Sequence, residues 1–417
     1  MVTRSNMLRR VNMSDVINAF PGYEFVKGED GHMHNMYRGV DLGFGGYIVG
    51  EPGIYYDVTL LDVGGMHPSS IIAMNYFGEY TPRYAELKEA RNCIKHHDYE
   101  TPKKMFDGKL AKYLTHPESA DKLSKALKLP QNQAYGLTSA SFDNPMRDHR
   151  NLNNIVALRG ALFMKTLQDE VESRGFHIVA IRTDSIKIPG ATPEIIKFCM
   201  DFANEYGYEF EHEATYEKMC LVNKSAYIAK YSDDETINGR HAGQWTATAA
   251  QFQVPYVFKT LFSHEPIVFD DFCETKSVQK GAIYLDLDEG IEKNPQLEKD
   301  YEKLLREIKK EGSTEEREAR KTELERAIEK EHDYVFVGRV GQFTPVLPGR
   351  GGGLLMRQQD GKYSAVTGTK GYRWLESELV RTQPDAMDLV DRSYYVKLVD
   401  DAVADISKYG DFEAFSA

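Results

Sequence analysis

The stretch HIVAIRTDSIKIPG, residues 177–190, predicts two short β-strands joined by a tight turn. Apolar residues alternate with other residues on each arm, which is the period of a strand with one buried face. Asp184 stands at the tip of the turn, and Arg182 is two residues before it. A carboxylate held at the tip of a hairpin is a candidate metal ligand, but a second acidic group is needed to share a pair of ions with it.

A second acidic turn is predicted in VTLLDVGGMHPSSII, residues 58–72. An apolar strand runs into Asp62, and the chain then turns through Gly64 and Gly65. A buried carboxylate is costly without a partner, and a glycine turn leaves backbone N–H groups free to face an anion such as phosphate. Together with Asp184, Asp62 could hold two Mg²⁺ ions, although an ordinary turn beginning at Asp62 explains the same residues. The spacing does not establish that the two strands are neighbours.

Composition limits the function classes. A chain of 417 residues predicts two to four subdomains. The net charge of −12 argues against coating nucleic acid by bulk attraction, yet residues 88–128 are rich in basic side chains, which allows a local grip. The sequence contains no run of about 18 apolar residues, so no membrane span is predicted. The four cysteines form no CxxC pair, which indicates reduced thiols in a cytoplasmic protein.

Two basic segments predict helices with a cationic face. In EARNCIK, Arg91 and Lys95 are separated by one helical turn; in KLPQNQAYG, the side chains of Lys128, Asn132 and Tyr135 share a face. Such faces suit a triphosphate and a stacked base, but solvated basic helices are the alternative. Pro130 disfavours a helix interior, so a helix beginning at Pro130 would leave Lys128 off this face.

The two basic segments belong to predicted helices over residues 83–97 and 120–135. Further helices are predicted at 152–173 and after the cap Thr192 and Pro193. A charged helical hairpin at about 292–333 is treated as an insertion, with Ser313 and Glu316 as its capping box.

In this order the motifs resemble those of family B DNA polymerases. DVGGMHPSSII resembles the family's DxxSLYPSII, KLPQNQAYG its KxxxNSxYG, and AIRTDS its YxDTDS. The match is best over residues 40–235, and the later part is similar to the thumb of bacteriophage-type members. The resemblance implies an α+β, right-hand polymerase with an antiparallel-sheet palm, two-helix fingers and a mostly helical thumb. Its expected parts are an N-terminal remnant (1–40), palm (41–80), fingers (81–137), palm (138–240) and thumb (241–417).

The resemblance also assigns roles to residues. It implies template-directed primer extension with dNTPs by two Mg²⁺ ions, with Mn²⁺ as an alternative. The metal ligands would be Asp62, Val63 and Asp184, the first and last also catalytic. The dNTP-binding residues would be Gly64, Gly65, Met66, His67, Arg91, Lys95, Lys128, Asn132 and Tyr135. Primer or template would contact Thr183, Lys224 and Tyr227. Independently of the resemblance, the composition of KGYRW, with Lys370 and Arg373, suits contact with a nucleic-acid backbone, although a strand that packs one aromatic ring into the thumb core explains it nearly as well.

Departures from the family pattern matter. His67 stands in place of the sugar-gating tyrosine, and Arg182 in place of the first acid of YxDTDS. About 40 residues precede the expected palm and carry no exonuclease DxE motif, so this chain is not expected to proofread alone. We therefore expect a cut chain or the polymerase chain of a split phage enzyme, working in the host cytoplasm with primer–template DNA, a separate exonuclease chain and a processivity factor as partners.

Two alternatives come from other classes. A non-catalytic, polymerase-like DNA-binding subunit of a replication complex would not need Asp62 and Asp184. A metal-dependent phosphohydrolase would not need the basic helices.

Overall fold

The computed structural model describes residue 16 and residues 18–147 and 154–417. The chain divides into two compact units. Unit 1 contains residues up to 249 together with 409–411, and unit 2 contains 250–408 and 412–417. The finer division into palm, fingers and thumb stays a prediction, and part of the expected remnant 1–40 lies outside the described residues.

Unit 1 combines antiparallel strands with helices. Its described strands are β1 (Tyr23–Lys27), β2 (Met33–Tyr37), β3 (Val40–Asp41), β4 (Ile48–Gly50), β5 (Gly53–Val63), β6 (Ala180–Arg182), β7 (Ser185–Pro189), β8 (Phe210–Leu221), β9 (Tyr227–Tyr231) and β10 (Trp245–Ala247). Its described α-helices are α1 (Met66–Ala73), α2 (Thr81–Lys95), α3 (Glu100–Lys104), α4 (Pro117–Ser139), α5 (Ile155–Ser173), α6 (Pro193–Glu205) and α7 (Glu235–Asn238).

A seven-stranded antiparallel sheet forms the centre of unit 1. Its strand order is β10-β9-β8-β5-β7-β6-β4, and β1, β2 and β3 form a separate small sheet. One face of the large sheet, with Leu61 and Val63 of β5 and Ile186 of β7, is buried in the same core as helices α5 and α6. Alternation then places Leu60 and Asp62 on the opposite face.

The predicted hairpin at 177–190 is confirmed as β6 and β7. The predicted helix after Thr192 is also confirmed, and the Thr192 hydroxyl accepts a hydrogen bond from the Ile195 N–H at 3.4 Å. The long predicted helix is observed as α5, and its expected first residues, 152 and 153, lie outside the described residues.

The basic helices α2 and α4 pack against each other. Ala90 and Ile94 of α2 share a small core with Ala120 and Leu127 of α4. Helix α4 continues through Pro130, so the alternative in which the helix begins at Pro130 is wrong. Lys128 does lie on the same helix as Asn132 and Tyr135. The tertiary packing of the helix outweighs the local cost of the proline.

Unit 2 contains two more antiparallel sheets, of orders β11-β14-β17 and β13-β12-β15-β16. Its described strands are β11 (Glu274–Ser277), β12 (Ala282–Asp286), β13 (Tyr334–Gly338), β14 (Val340–Val346), β15 (Leu354–Gln359), β16 (Lys362–Ala365) and β17 (Arg373–Glu376). Its described α-helices are α8 (Ala250–Gln253), α9 (Pro255–Phe258), α10 (Pro295–Glu311), α11 (Glu315–Glu329), α12 (Ser377–Arg381), α13 (Ala386–Leu389), α14 (Arg392–Ser407) and α15 (Phe412–Ser416).

The expectation of a mostly helical thumb stays a prediction, and one core of unit 2 includes strand residues such as Ile283, Phe343 and Leu355. One expectation for this region needs correction. The charged hairpin is observed as α10 and α11, but the cap of α11 is Thr314, whose side chain accepts from the Arg317 N–H. Among the described residues, no helix is both long and apolar enough to cross a bilayer.

The proline in α4 gives a stability prediction. Replacing the exposed Pro130 with alanine restores a donor to the helix interior, which is worth up to roughly 3 kcal/mol. We expect slower amide hydrogen exchange over residues 117–139 in Pro130→Ala. Leu129→Ala, at a neighbouring position that is 61% exposed, is the matched control and should leave the exchange nearly unchanged. Faster exchange in Pro130→Ala would contradict this account of the helix.

Candidate functional site

The two acidic turns are neighbours. Asp62 pairs in register with Ser185 of β7, the residue that follows Asp184. The Val63 N–H donates to the Asp184 carbonyl oxygen at 2.8 Å, which ties one turn to the other. The sequence left this adjacency open, and the sheet register supplies it.

The environment of Asp62 disfavours its charge. Burial raises the pKa of Asp62 to about 7, and the nearby charge of Asp184 is the second cause. Glu213 and Glu211, both on β8, add to the effect, whereas Lys95 opposes it. Burial also raises the pKa of Asp184. A cation bound to these carboxylates would favour their charged forms and oppose the raised pKa of both.

The donor set fits a hard divalent cation. Mg²⁺ uses one or two protein carboxylates and completes its shell with water and phosphate oxygens. The Asp62 carboxylate makes no hydrogen bond with any residue that the structure describes, so its oxygens are available. No group of three His, Cys, Asp or Glu side chains suited to a metal occurs in the described ranges. The Val63 carbonyl already accepts from the Gly65 N–H at 2.6 Å, although a carbonyl oxygen has a second lone pair.

The glycine turn offers fewer donors than expected. Gly65 has a φ of 79°, a left-handed conformation that permits the sharp turn into α1. The Gly64 N–H donates to the Glu209 carbonyl at 2.9 Å, and that of Gly65 to Val63. Both are therefore occupied. Met66 and His67, in the first turn of α1, have no backbone acceptor in the described part of the chain, and their N–H groups lie at the positive end of the helix dipole.

Helix α2 brings three cationic side chains to one face. Lys88, Arg91 and Lys95 follow helical spacing, and the Lys88 Cε lies 3.7 Å from the position that a Cβ on Gly65 would take. Burial lowers the pKa of Lys88, with Glu209 the strongest opposing charge. Sequence reasoning missed Lys88, although its position three residues before Arg91 was the signal.

The two predicted cations of α2 differ in their partners. The Arg91 Nε is buried and has no hydrogen-bond partner among the described residues. Lys95 instead forms an ion pair with Glu211 of β8, and the His96 Nε2 lies 3.4 Å from the same carboxylate. In this structure Lys95 is engaged by the protein, not free to bind a ligand.

His67 is stacked on Tyr135. Their ring centroids are 3.7 Å apart and their planes differ by 10°. Burial lowers the pKa of His67 to about 4, so the imidazole is neutral at pH 7. Its Nδ1 is buried and has no hydrogen-bond partner in the part of the chain that the structure describes. Lys128 and Asn132 are exposed on the same helix as Tyr135.

A cavity of about 210 Å³ adjoins Asp62; we call it the Lys187 pocket. Its lining consists of Leu60, Asp62, Arg182, Ser185, Lys187, Glu213, Ala214, Tyr216, Tyr227 and Tyr231. The pocket therefore takes in the predicted Tyr227 but not Lys224, which is exposed in the loop after β8. Lys187 and Glu213 were missed, although a lysine among the apolar residues of a predicted strand was a signal.

The remaining predicted residues lie elsewhere. Thr183 is in the β6–β7 turn with a φ of 58°, and its N–H donates to the Tyr47 carbonyl at 3.0 Å. Lys370 is exposed in unit 2. Arg373, also in unit 2, donates to Asp288 at 2.9 Å and to the Gly352 carbonyl, so its guanidinium serves an internal network.

Comparison with known proteins gives a likeness to solved structures at low sequence identity. No family model and no curated protein matches the chain. Among solved structures, the chain is similar to the family B DNA polymerase from the hyperthermophilic archaeon Pyrobaculum calidifontis. The identity is 14% and the TM-score 0.43, over 91% of this chain and 49% of that chain. The chain thus spans about half the length of that polymerase. At this level of similarity, function has to be argued from the residues of the site.

The raised pKa of Asp62 predicts a pH-dependent stability. The pKa of this carboxyl rises from 3.8 to about 7 on folding, so the folded state binds more protons between those values. Stability is therefore lost as the pH rises through about 7. Between pH 5 and pH 8, we expect the wild type to lose on the order of 1–2 kcal/mol of unfolding free energy through this group, once solvent screening is allowed for. Asp62→Asn should not show this loss.

Urea unfolding in EDTA at several pH values measures this difference. Asp57→Asn is the control, since Asp57 is an exposed carboxylate on the same strand with a φ of 49°, which asparagine tolerates. An equal pH slope in wild type and Asp62→Asn would refute the electrostatic assignment.

Proposed function

We propose that the chain is a template-directed DNA polymerase that extends a primer 3′-hydroxyl with dNTPs and releases pyrophosphate. The observation that carries the proposal is the adjacency of Asp62 and Asp184 beside a helix N-terminus and the cationic face of α2. The order of the three family B-like motifs supports it.

Asp62 and Asp184 would hold the metal ions, with the Val63 carbonyl as a further ligand. Mg²⁺ or Mn²⁺, when bound, supplies activation of the attacking hydroxyl and neutralises charge on the leaving pyrophosphate. The protein contributes a fixed pair of carboxylates, one of which has no competing hydrogen bond in the described residues. Their mutual repulsion favours occupancy by cations.

The triphosphate would lie between the start of α1 and the face of α2. The Met66 and His67 N–H groups and the side chains of Lys88 and Arg91 are the donors available there. Phosphate oxygens would satisfy the buried Arg91 Nε, which has no partner within the described ranges. Lys95 would join them only by leaving Glu211.

The stacked pair of His67 and Tyr135 would form the floor beneath the incoming sugar and base. A flat aromatic surface suits base stacking, with the exposed Asn132 and Lys128 on the same helix. Because a neutral imidazole stands in place of a tyrosine, the selectivity of the proposed site between dNTPs and rNTPs has to be measured.

The partners of the proposed enzyme are primer–template DNA and dNTPs. A separate exonuclease chain, a processivity factor, a phage origin and a place in the host cytoplasm are part of the proposal that the motif resemblance supports. The competing function is a non-catalytic DNA-binding subunit, which would still bind DNA after both carboxylates are removed.

Removal of either metal-binding carboxylate tests the chemistry. We expect Asp62→Asn and Asp184→Asn to reduce primer extension by at least about 10³-fold, because the losses act on transition-state charge, while primer–template binding persists. Extension of a labelled primer with dNTPs or rNTPs and Mg²⁺, beside DNA binding by fluorescence anisotropy, measures both.

Asp57→Asn removes the same charge from the same strand and should extend primers as the wild type does. Wild-type rates in either site variant would reject the metal assignment. An inactive wild-type chain that still binds primer–template would favour the non-catalytic subunit.

Lys88 provides a separate test of the triphosphate site. We expect Lys88→Ala to raise the KM for dNTP by about tenfold, the size of one lost charge-assisted hydrogen bond, without weakening primer–template binding. Lys122→Ala is the control, because Lys122 lies on the partner helix α4 with a side chain that is 74% exposed. Steady-state kinetics at saturating primer–template measure the change, and an unaltered KM would remove Lys88 from the site.

A further inference from the structure

Lys187 is a buried lysine that pairs with no acidic side chain of the described residues. The residue is 4% exposed and lies on β7, where it lines the Lys187 pocket. Its Nζ lies 4.8 Å from the centroid of the Tyr227 ring. Within the part of the chain that the structure describes, it forms no ion pair within 4 Å and no side-chain hydrogen bond. Burial of a lysine side chain without such a partner is costly, and an anion bound at the pocket would compensate its charge.

A second cation faces the same pocket. Arg182, at the end of β6, is exposed and likewise forms no side-chain ion pair or hydrogen bond in the described ranges. The charge of Arg182 acts against that of Lys187, while Glu213, Asp62 and Asp184 act in its favour. Since Asp62 and Asp184 are both assigned to the metal ions in the proposed function, Glu213 is the one of these three carboxylates that would remain to offset two cations.

The size of the pocket limits the ligand. About 210 Å³ is smaller than the roughly 300–1,000 Å³ of pockets that enclose whole small-molecule ligands, but it accommodates one phosphate group. A guanidinium and an ammonium are the side-chain groups that bind phosphate best. The Tyr227 and Tyr216 hydroxyls are hydrogen-bonded to each other at 3.3 Å, so one of the two O–H groups remains to donate at the same pocket.

The position of the pocket indicates which phosphate. The donors assigned to the triphosphate lie on α1 and α2, whereas Arg182 and Lys187 lie on β6 and β7. Asp62 borders the pocket. A primer whose 3′-hydroxyl reaches the Asp62 carboxylate carries its last phosphodiester groups within one or two nucleotides of that point.

We propose that Arg182 and Lys187 together bind one phosphodiester group of the primer strand near its 3′ end. This inference rests on the proposed polymerase function and adds to it a binding site for the primer backbone. The inference also assigns a role to Arg182, which stands in place of an acid of the family motif. The arginine positions the primer strand and is not a metal ligand.

A scan of neutral linkages tests the site. Primers carrying a single methylphosphonate at each of the last few linkages are annealed to template, and binding is measured by fluorescence anisotropy without dNTP. In the wild type, we expect one linkage whose neutralisation weakens binding by about tenfold, as for one lost charge-assisted hydrogen bond. Arg182→Gln and Lys187→Met should weaken binding of the unmodified primer and lose sensitivity at that same linkage.

The salt dependence gives an independent readout. Each variant should reduce the slope of log Kd against log salt concentration by about one, as expected when one phosphate contact is removed. Lys197→Met is the control, because Lys197 is an exposed lysine on α6 that pairs with Asp201, and it should retain the wild-type slope. Arg182 is exposed, so Arg182→Gln keeps the test valid even where Lys187→Met fails to fold.

The outcomes separate the two proposals. If the wild type extends primers but Arg182→Gln keeps full sensitivity at every linkage, the phosphate site is wrong and the polymerase function stands. If the wild type neither binds nor extends primer–template, the proposed function fails and this site fails with it.

Discussion

The pairing of β5 with β7 is the constraint on which the candidate site depends. Backbone hydrogen bonds fix Asp62 opposite Ser185 and join Val63 to the Asp184 carbonyl. Because side chains alternate along a strand, a register shift of one residue would turn Asp62 into the core and expose Leu61. The burial of Leu61 and Val63 in the core shared with α5 and α6 therefore also determines where the carboxylates point.

The site concentrates charge that the isolated protein balances only in part. Asp62, Asp184, Glu211 and Glu213 meet where β5, β7 and β8 lie side by side. The cations that approach them come from three elements: α2, the end of β6 and the middle of β7. Such an arrangement favours ligands that bring both signs of charge at once, as a metal-bound triphosphate and a primer strand do.

Local sequence signals predicted the elements that local chemistry decides. The alternation at 177–190, the Thr192 cap and the helical spacing of Arg91 and Lys95 each correspond to an observed element. Pro130 and Thr314 were misjudged, because the packing of α4 outweighs a proline's cost and adjacent hydroxyl residues compete to cap a helix. The sheets of unit 2 and the Lys95–Glu211 ion pair depend on contacts between distant segments, which one sequence does not reveal.

The Lys95–Glu211 ion pair links two parts of the site. Glu211 is the register partner of Asp62 on β8, so Lys95, which compensates the charge of Glu211, also makes the electrostatic potential at Asp62 less negative. A ligand that draws Lys95 away leaves that potential more negative and strengthens the attraction for a cation at the carboxylates. By thermodynamic linkage, the cation then favours release of Lys95 to the ligand by the same factor. Anion and cation would thus bind cooperatively through a single exchangeable lysine.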